Sequence, residues 1–339
     1  MKLASVNCLG EEVYICTNRE GQQLRGIVHQ PERANGRGLL LLPAGMKYRV
    51  GAHGFYVWMA RQLARRGYTV LRADTAGIGY SDGPQHRGRV YDVWRRVEEG
   101  ALVADAIDLA QDFRSRYRLE SLVAGGICGA AITAQLTVAS DPVILDGVLA
   151  INAPISLSCS PQQRRMNLEN ASYNARRYLR KLFSGFAWNR LLRGESDFSA
   201  IYAFLRIYLR NCLALKGVSK ERQLYDQLNE KFVRSYRAMC KNGVKVLYLF
   251  GGGDSQWTDF RSIFLKYYLH GKIVGENHAV EVIPEANHEL YLEQWQNAAL
   301  ESIQRWLDPP VRLSDTPTPV PSPSVGTSTW QQQTHRPTP

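Results

Sequence analysis

The chain has 339 residues, 45% of them hydrophobic and 22% charged, which gives room for a large core plus an inserted or appended module and excludes global disorder. Its longest apolar runs, such as Leu39 to Leu42, fall far short of the roughly 20 residues of a membrane span. The formal net charge is +11, and residues 157–243 alone hold 17 Lys and Arg against 6 Asp and Glu, so the excess sits in one segment. No nucleic-acid reader motif accompanies that charge, and no specific nucleic-acid partner is expected.

The start, Met1-Lys2-Leu3 followed by polar residues and Glu11-Glu12, lacks the apolar run and cleavage site of a secretory signal. A cytoplasmic location follows as the expectation. Cysteines 8, 16, 128, 159, 212 and 240 form no C-x-x-C pair and no zinc spacing with histidine. Reduced thiols and no metal are expected.

In chain order, Glu12 to Thr17 and Gln22 to Gln30, joined across Asn18-Arg19-Glu20-Gly21, predict an opening antiparallel hairpin. Leu39 to Leu42 predicts a buried strand. Phe55, Trp58, Met59 and Leu63 recur at helical spacing until Gly67, and Tyr68 to Arg72 reads as the next strand. Leu102, Ala106, Leu109 and Phe113 mark a helix, Ser121 to Ala124 a strand, Gly129 to Ala139 a helix and Gly147 to Ile151 a strand. Residues 156–243 carry no strand-like run but aromatic and basic residues at helical spacings, among them Phe183, Phe186, Trp188, Tyr202 and Tyr208, with Arg164, Arg165, Arg176, Arg177, Arg180 and Lys181. Val244 to Phe250 and His278 to Ile283 are further strands, and Leu292, Trp295, Ala299, Ile303 and Trp306 a final amphipathic helix.

This alternation predicts an α/β fold, a mostly parallel sheet with helices on both faces. The expected organisation is core 1–155, helical cap insertion 156–243, core 244–308 and a tail 309–339. That tail holds 8 of the 15 prolines in a Pro, Ser and Thr mixture, a composition expected to stay disordered.

The strongest chemical signal is Gly126-Ile127-Cys128-Gly129-Ala130 between a strand and a helix. Small residues two before and two after let neighbouring backbone pass a sharp turn that exposes the central side chain. The pattern is a nucleophile elbow with cysteine in place of serine, and the helix it opens directs its positive end at the sulfur. The strand Val246 to Phe250 ends in Gly251-Gly252-Gly253-Asp254, and Val282-Ile283 leads to Pro284-Glu285-Ala286-Asn287-His288. Each residue thus follows a strand's carboxyl end, in the order nucleophile, acid, base. Asp254 competes with Asp259, which lies in the next helical segment and is expected to be solvated. Oxyanion donors are expected from the Gly129 amide and from the loop Leu42 to Lys47, where Met46 is the choice among neighbouring amides. The glycine-rich run Asp74 to Gly83 lacks a nucleotide fingerprint and reads as a structural turn.

The run Pro43-Ala44-Gly45-Met46-Lys47-Tyr48-Arg49-Val50-Gly51-Ala52-His53, then Leu71 to Asp74 with Gly77, Gly79, Ser81 and Gly83, then the Cys128 elbow, resembles the exosortase A system-associated hydrolase 1 family of the α/β-hydrolase superfamily over about residues 10–306. The resemblance implies an α/β-hydrolase fold with an inserted cap over the site, in a hydrolase encoded near exopolysaccharide and protein-sorting genes. Gly129 departs from the acidic residue expected after the nucleophile. Arg49 is a candidate for a substrate carboxylate or phosphate, and equally for a structural ion pair. The expected activity is cleavage of carboxylic esters or thioesters through Cys128, His288 and Asp254 without a cofactor, on a small acyl substrate that the basic cap would favour if anionic or carrier-bound. An acyltransferase on the same triad, or a noncatalytic binding protein of the same fold, are the alternatives.

Overall fold

The computed structural model describes residues 10–85, 88, 90–157, 228–273, 275 and 277–308. The aromatic and basic residues singled out between 164 and 208, and the tail from Pro309, lie outside them.

The strands are β1 (Glu11–Thr17), β2 (Gln23–His29), β3 (Arg37–Leu41), β4 (Thr69–Ala73), β5 (Ser121–Ile127), β6 (Gly147–Ile151), β7 (Lys245–Gly251) and β8 (His278–Ile283). They form one eight-stranded sheet in the order β1-β2-β4-β3-β5-β6-β7-β8. β1 pairs β2, and β2 pairs β4, antiparallel; from β4 through β8 every pairing is parallel. The opening hairpin turns where the Asn18 side chain accepts the amides of Glu20 at 3.1 Å and Gln22 at 2.9 Å, an Asx-type closure.

The helices are α1 (Phe55–Ala64), α2 (Val90–Glu98), α3 (Val103–Arg116), α4 (Gly129–Ser140), α5 (Glu230–Lys241), α6 (Ser255–Asp259) continued by a wider-wound segment Phe260–Tyr268, and α7 (Glu293–Leu307). Successive strand residues face opposite sides of a sheet, and two cores result. Leu39, Leu41, Val70, Val123, Leu149, Ile151, Leu247 and Leu249 pack under α1 and α7. Their neighbours Leu40, Leu71, Leu122, Ala124, Val148, Ala150, Val246 and Tyr248 pack under α3, α4 and α5. Covering both faces is why these strands are apolar throughout rather than alternating. Each buried leucine or phenylalanine contributes roughly 1.5–3 kcal/mol by leaving water.

Two features differ from the sequence expectation. α2 is not among the expected elements, because its buried Val93 and Val97 are interspersed with Asp92, Arg95, Arg96, Glu98 and Glu99, whose charges mask the apolar stripe. α5, expected as the end of the insertion, buries Phe232, Tyr236 and Met239 in the core. Just before it, Leu228 bridges Ser156, so the chain leaves and re-enters the core at adjacent points. Among the described residues no helix is long and apolar enough to cross a membrane.

Candidate active site

Cys128 stands between β5 and α4 with φ 56° and ψ −108°, a left-handed backbone that a non-glycine residue adopts only when its surroundings enforce it. Enforcement is local. The Cys128 amide donates to the Ile151 carbonyl at 2.8 Å, and the preceding amide of Ile127 donates to the buried Tyr56 hydroxyl at 2.6 Å. Gly126 has φ 139°, and a Cβ there would collide with that hydroxyl. A Cβ on Gly129 would lie 2.5 Å from the Gly45 amide nitrogen. A side chain after Cys128, acidic or otherwise, therefore does not fit this elbow without a shift of the Gly45 loop.

Asp254 follows β7, buried, and caps α6 by accepting the Gln256 amide at 3.3 Å. Its other oxygen lies 2.7 Å from His288 Nδ1. Burial alone would lower the pKa of His288. Its hydrogen bond to Asp254, with the influence of the neighbouring Cys128 and of the Asp254 carboxylate, outweighs that and pushes it up to about 10. His288 and Asp254, distant in sequence, are thus hydrogen-bonded to each other, and Cys128 lies near enough to shift the imidazole.

Asp259, expected in solvent, is buried instead, because α6 turns its end onto the core beside Phe260. Burial and then the charge of Asp254 raise its carboxyl to about 7. A folded-state pKa above the ordinary 3.8 means that the folded chain binds the extra proton between about pH 4 and pH 7, so the protein loses stability as pH rises through that window. Asp259→Asn does not titrate. Its advantage in thermal unfolding over the parent is expected to grow from pH 4 to pH 7, to at most about 4 kcal/mol, and to level off above.

In the loop after β3, the Gly45 amide donates to Pro43 O at 2.8 Å and the Lys47 amide to Ala44 O at 3.4 Å. The Met46 amide has no hydrogen-bond partner among the described residues. The indole of Trp94 lies directly over Gly45. Lys47 and His53 both pair with Glu289, His53 at 3.1 Å, so this loop is tied to the segment carrying His288.

Arg49 is held by Asp74. Its amide donates to Asp74 Oδ1 at 2.6 Å and its guanidinium pairs with Oδ2, while Tyr80 stacks 4.9 Å from the guanidinium carbon. Asp74 is fully buried, and the Ser81 hydroxyl donates to its carbonyl at 2.8 Å. The Asp74 to Gly83 run wraps this pair.

Sequence reasoning passed over Trp94, Tyr56 and Asn152. Asn152 directly follows β6 with φ 47° and is fully buried. Its side chain accepts the Gly251 amide at 2.8 Å and donates to the His288 carbonyl at 2.9 Å. Its one legible signal was an asparagine directly after a strand's carboxyl end.

No family model matches the chain, and neither does any curated protein. Solved structures do. An esterase of Pyrococcus furiosus is 12% identical over 90% of this chain and 95% of its own, with a TM-score of 0.54. An α/β hydrolase, GrgF, of a Penicillium species is 17% identical over 88% of this chain and 97% of its own, at 0.51. A dienelactone hydrolase of Anabaena variabilis is 12% identical over 88% and 96%, at 0.50. Sheet order, parallel pairing and this likeness together give the chain an α/β-hydrolase fold.

Proposed function

We propose that this protein hydrolyses carboxylic ester or thioester bonds through an acyl-enzyme on Cys128. The observation that carries the proposal is the His288 ring, which hydrogen-bonds the buried Asp254 on Nδ1 at 2.7 Å and whose pKa is also raised by Cys128 at the elbow. The esterase and hydrolases of the same fold support the reaction class.

The Cys128 sulfur, as thiolate, adds to the substrate carbonyl, and the oxyanion takes hydrogen bonds from the Gly129 and Met46 amides. As the carbonyl reforms, the bond to the leaving alcohol or thiol breaks, and the leaving group departs with the proton of the His288 imidazolium. His288, now neutral, takes a proton from water. The hydroxide adds to the thioester, and Cys128 leaves as thiolate with the free acid as product. Asp254 holds the ring orientation and stabilises the imidazolium in both halves. Arg49, paired with Asp74, acts here as a clasp for the loop rather than as a substrate ligand. The likeness to the exosortase A system-associated family rests on the run that contains this clasp.

A thiol-directed acyl or alkylating probe with mass mapping tests the proposal. Labelling is expected at Cys128 in the parent, with at least a tenfold slower rate in His288→Ala. Tight binding of esters with neither labelling nor turnover would instead identify a receptor of the same fold.

A further inference from the structure

Resting on the reading of Cys128, His288 and Asp254 as one reacting unit, we infer that Asn152 is a positioning residue that sets the nucleophile, acid and base segments in register from the end of a single strand. The contacts are specific. The Ile151 carbonyl takes the Cys128 amide at 2.8 Å, and the Asn152 amide donates to Leu249 O on β7 at 2.8 Å. The Asn152 side chain then bridges outward, accepting the amide of Gly251, three residues before Asp254, and donating to the carbonyl of His288 itself. One two-residue step of chain thus touches all three catalytic segments.

The residue type follows from these tasks. The side chain must accept on one atom and donate on another, which only an amide does at this length. The backbone at φ 47° further narrows the choice, since asparagine, aspartate and glycine tolerate that region best. Leucine or valine would leave the Gly251 amide and the His288 carbonyl unpaired in a buried site. Asn152 touches no reacting atom. Its effect passes through the placement of the His288 ring, where an error near 1 Å costs about 10²-fold in rate.

Two variants separate this from a merely structural role. Asn152→Asp keeps the acceptor for Gly251 and the backbone shape, but loses the donor to His288 and sets a buried negative charge against its carbonyl. It is expected to lower kcat about 10- to 100-fold with KM within about twofold. Lowering the pH protonates the new carboxyl, restores a donor and narrows the deficit against the parent. Asn152→Gly removes both bonds and should cost more. Proton NMR of the full chain supplies the independent readout: the strongly hydrogen-bonded His288 Nδ1 proton, far downfield in the parent, is expected to weaken or vanish in both variants. Folded variants that keep this resonance and the parental kcat overturn the inference. So does loss of the fold in both, since Asn152 would then be a structural keystone. If the parent carries the resonance yet neither labels at Cys128 nor turns over any ester or thioester, the proposed hydrolysis fails, and the resonance comparison still decides the role of Asn152.

Discussion

Cys128→Ala is expected to lower kcat for ester and thioester hydrolysis by about 10⁴-fold or more, leaving the residual rate that an oxyanion hole and substrate binding supply without a nucleophile. Its fold should be unchanged, because Cys128 is held through its backbone amide and its side chain is not fully buried. Cys128→Ser is the sharper test. The elbow that tolerates cysteine at φ 56° tolerates serine equally, so geometry survives. The imidazole environment does not. Part of what raises His288 comes from the neighbouring Cys128, and that influence weakens when a hydroxyl replaces the sulfur. The pKa of His288 then falls, and the serine variant needs neutral imidazole as a base before any attack. Its activity should therefore climb with pH across the neutral range more steeply than the parent's. Steady-state rates between pH 5 and pH 10 measure the difference. A serine variant with the parental profile would mean that the sulfur is not the attacking atom.

Much of this site was legible because parallel strands buried on both faces leave unbroken apolar runs. The residues just past their carboxyl ends are then almost forced onto one rim of the sheet. Leu122 to Ile127, Val246 to Phe250 and Val282-Ile283 each announce a strand, and Cys128, Asp254 and His288 follow them. What stayed hidden depends on contacts between segments far apart in sequence. Nothing local to Asp259 reveals that α6 folds it onto the core. Nothing local to residues 42–47 reveals that the Gly45 and Lys47 amides are engaged while that of Met46 has no partner among the described residues. Arg49 read equally as a ligand or an ion pair until Asp74, 25 residues away, supplied the partner. Asn152 is the clearest case. An asparagine after a strand reads as punctuation, and its two partners lie 99 and 136 residues further along.

Asp254→Asn is expected to reduce kcat/KM by about 10⁴-fold. The amide nitrogen, turned toward Nδ1, presents a donor where the ring also needs to donate, and it stabilises the wrong tautomer. The pH dependence carries the diagnosis. Asp254 raises His288 by hydrogen bond and by charge, against a burial that lowers it, so without the carboxylate burial prevails and the pKa drops. In the parent, the imidazolium that protonates the leaving group persists until about pH 10. The descending limb of activity should lie there, and in the variant it should move down by several units. Stability follows the same sign: a pKa raised above the ordinary 6.5 contributes fully below pH 6.5 and is lost as pH rises through about 10. The destabilisation of Asp254→Asn relative to the parent should thus be greatest below pH 6.5 and shrink toward pH 10. The charge of Asp254 also raises Asp259, so the same substitution should lower the pKa of that buried carboxyl, a change carbon-13 NMR of the aspartate side chains can follow directly. An Asp254→Asn variant within tenfold of the parent, with its alkaline limb unmoved, would remove Asp254 from the mechanism and leave Asp259 as the remaining acid of this segment.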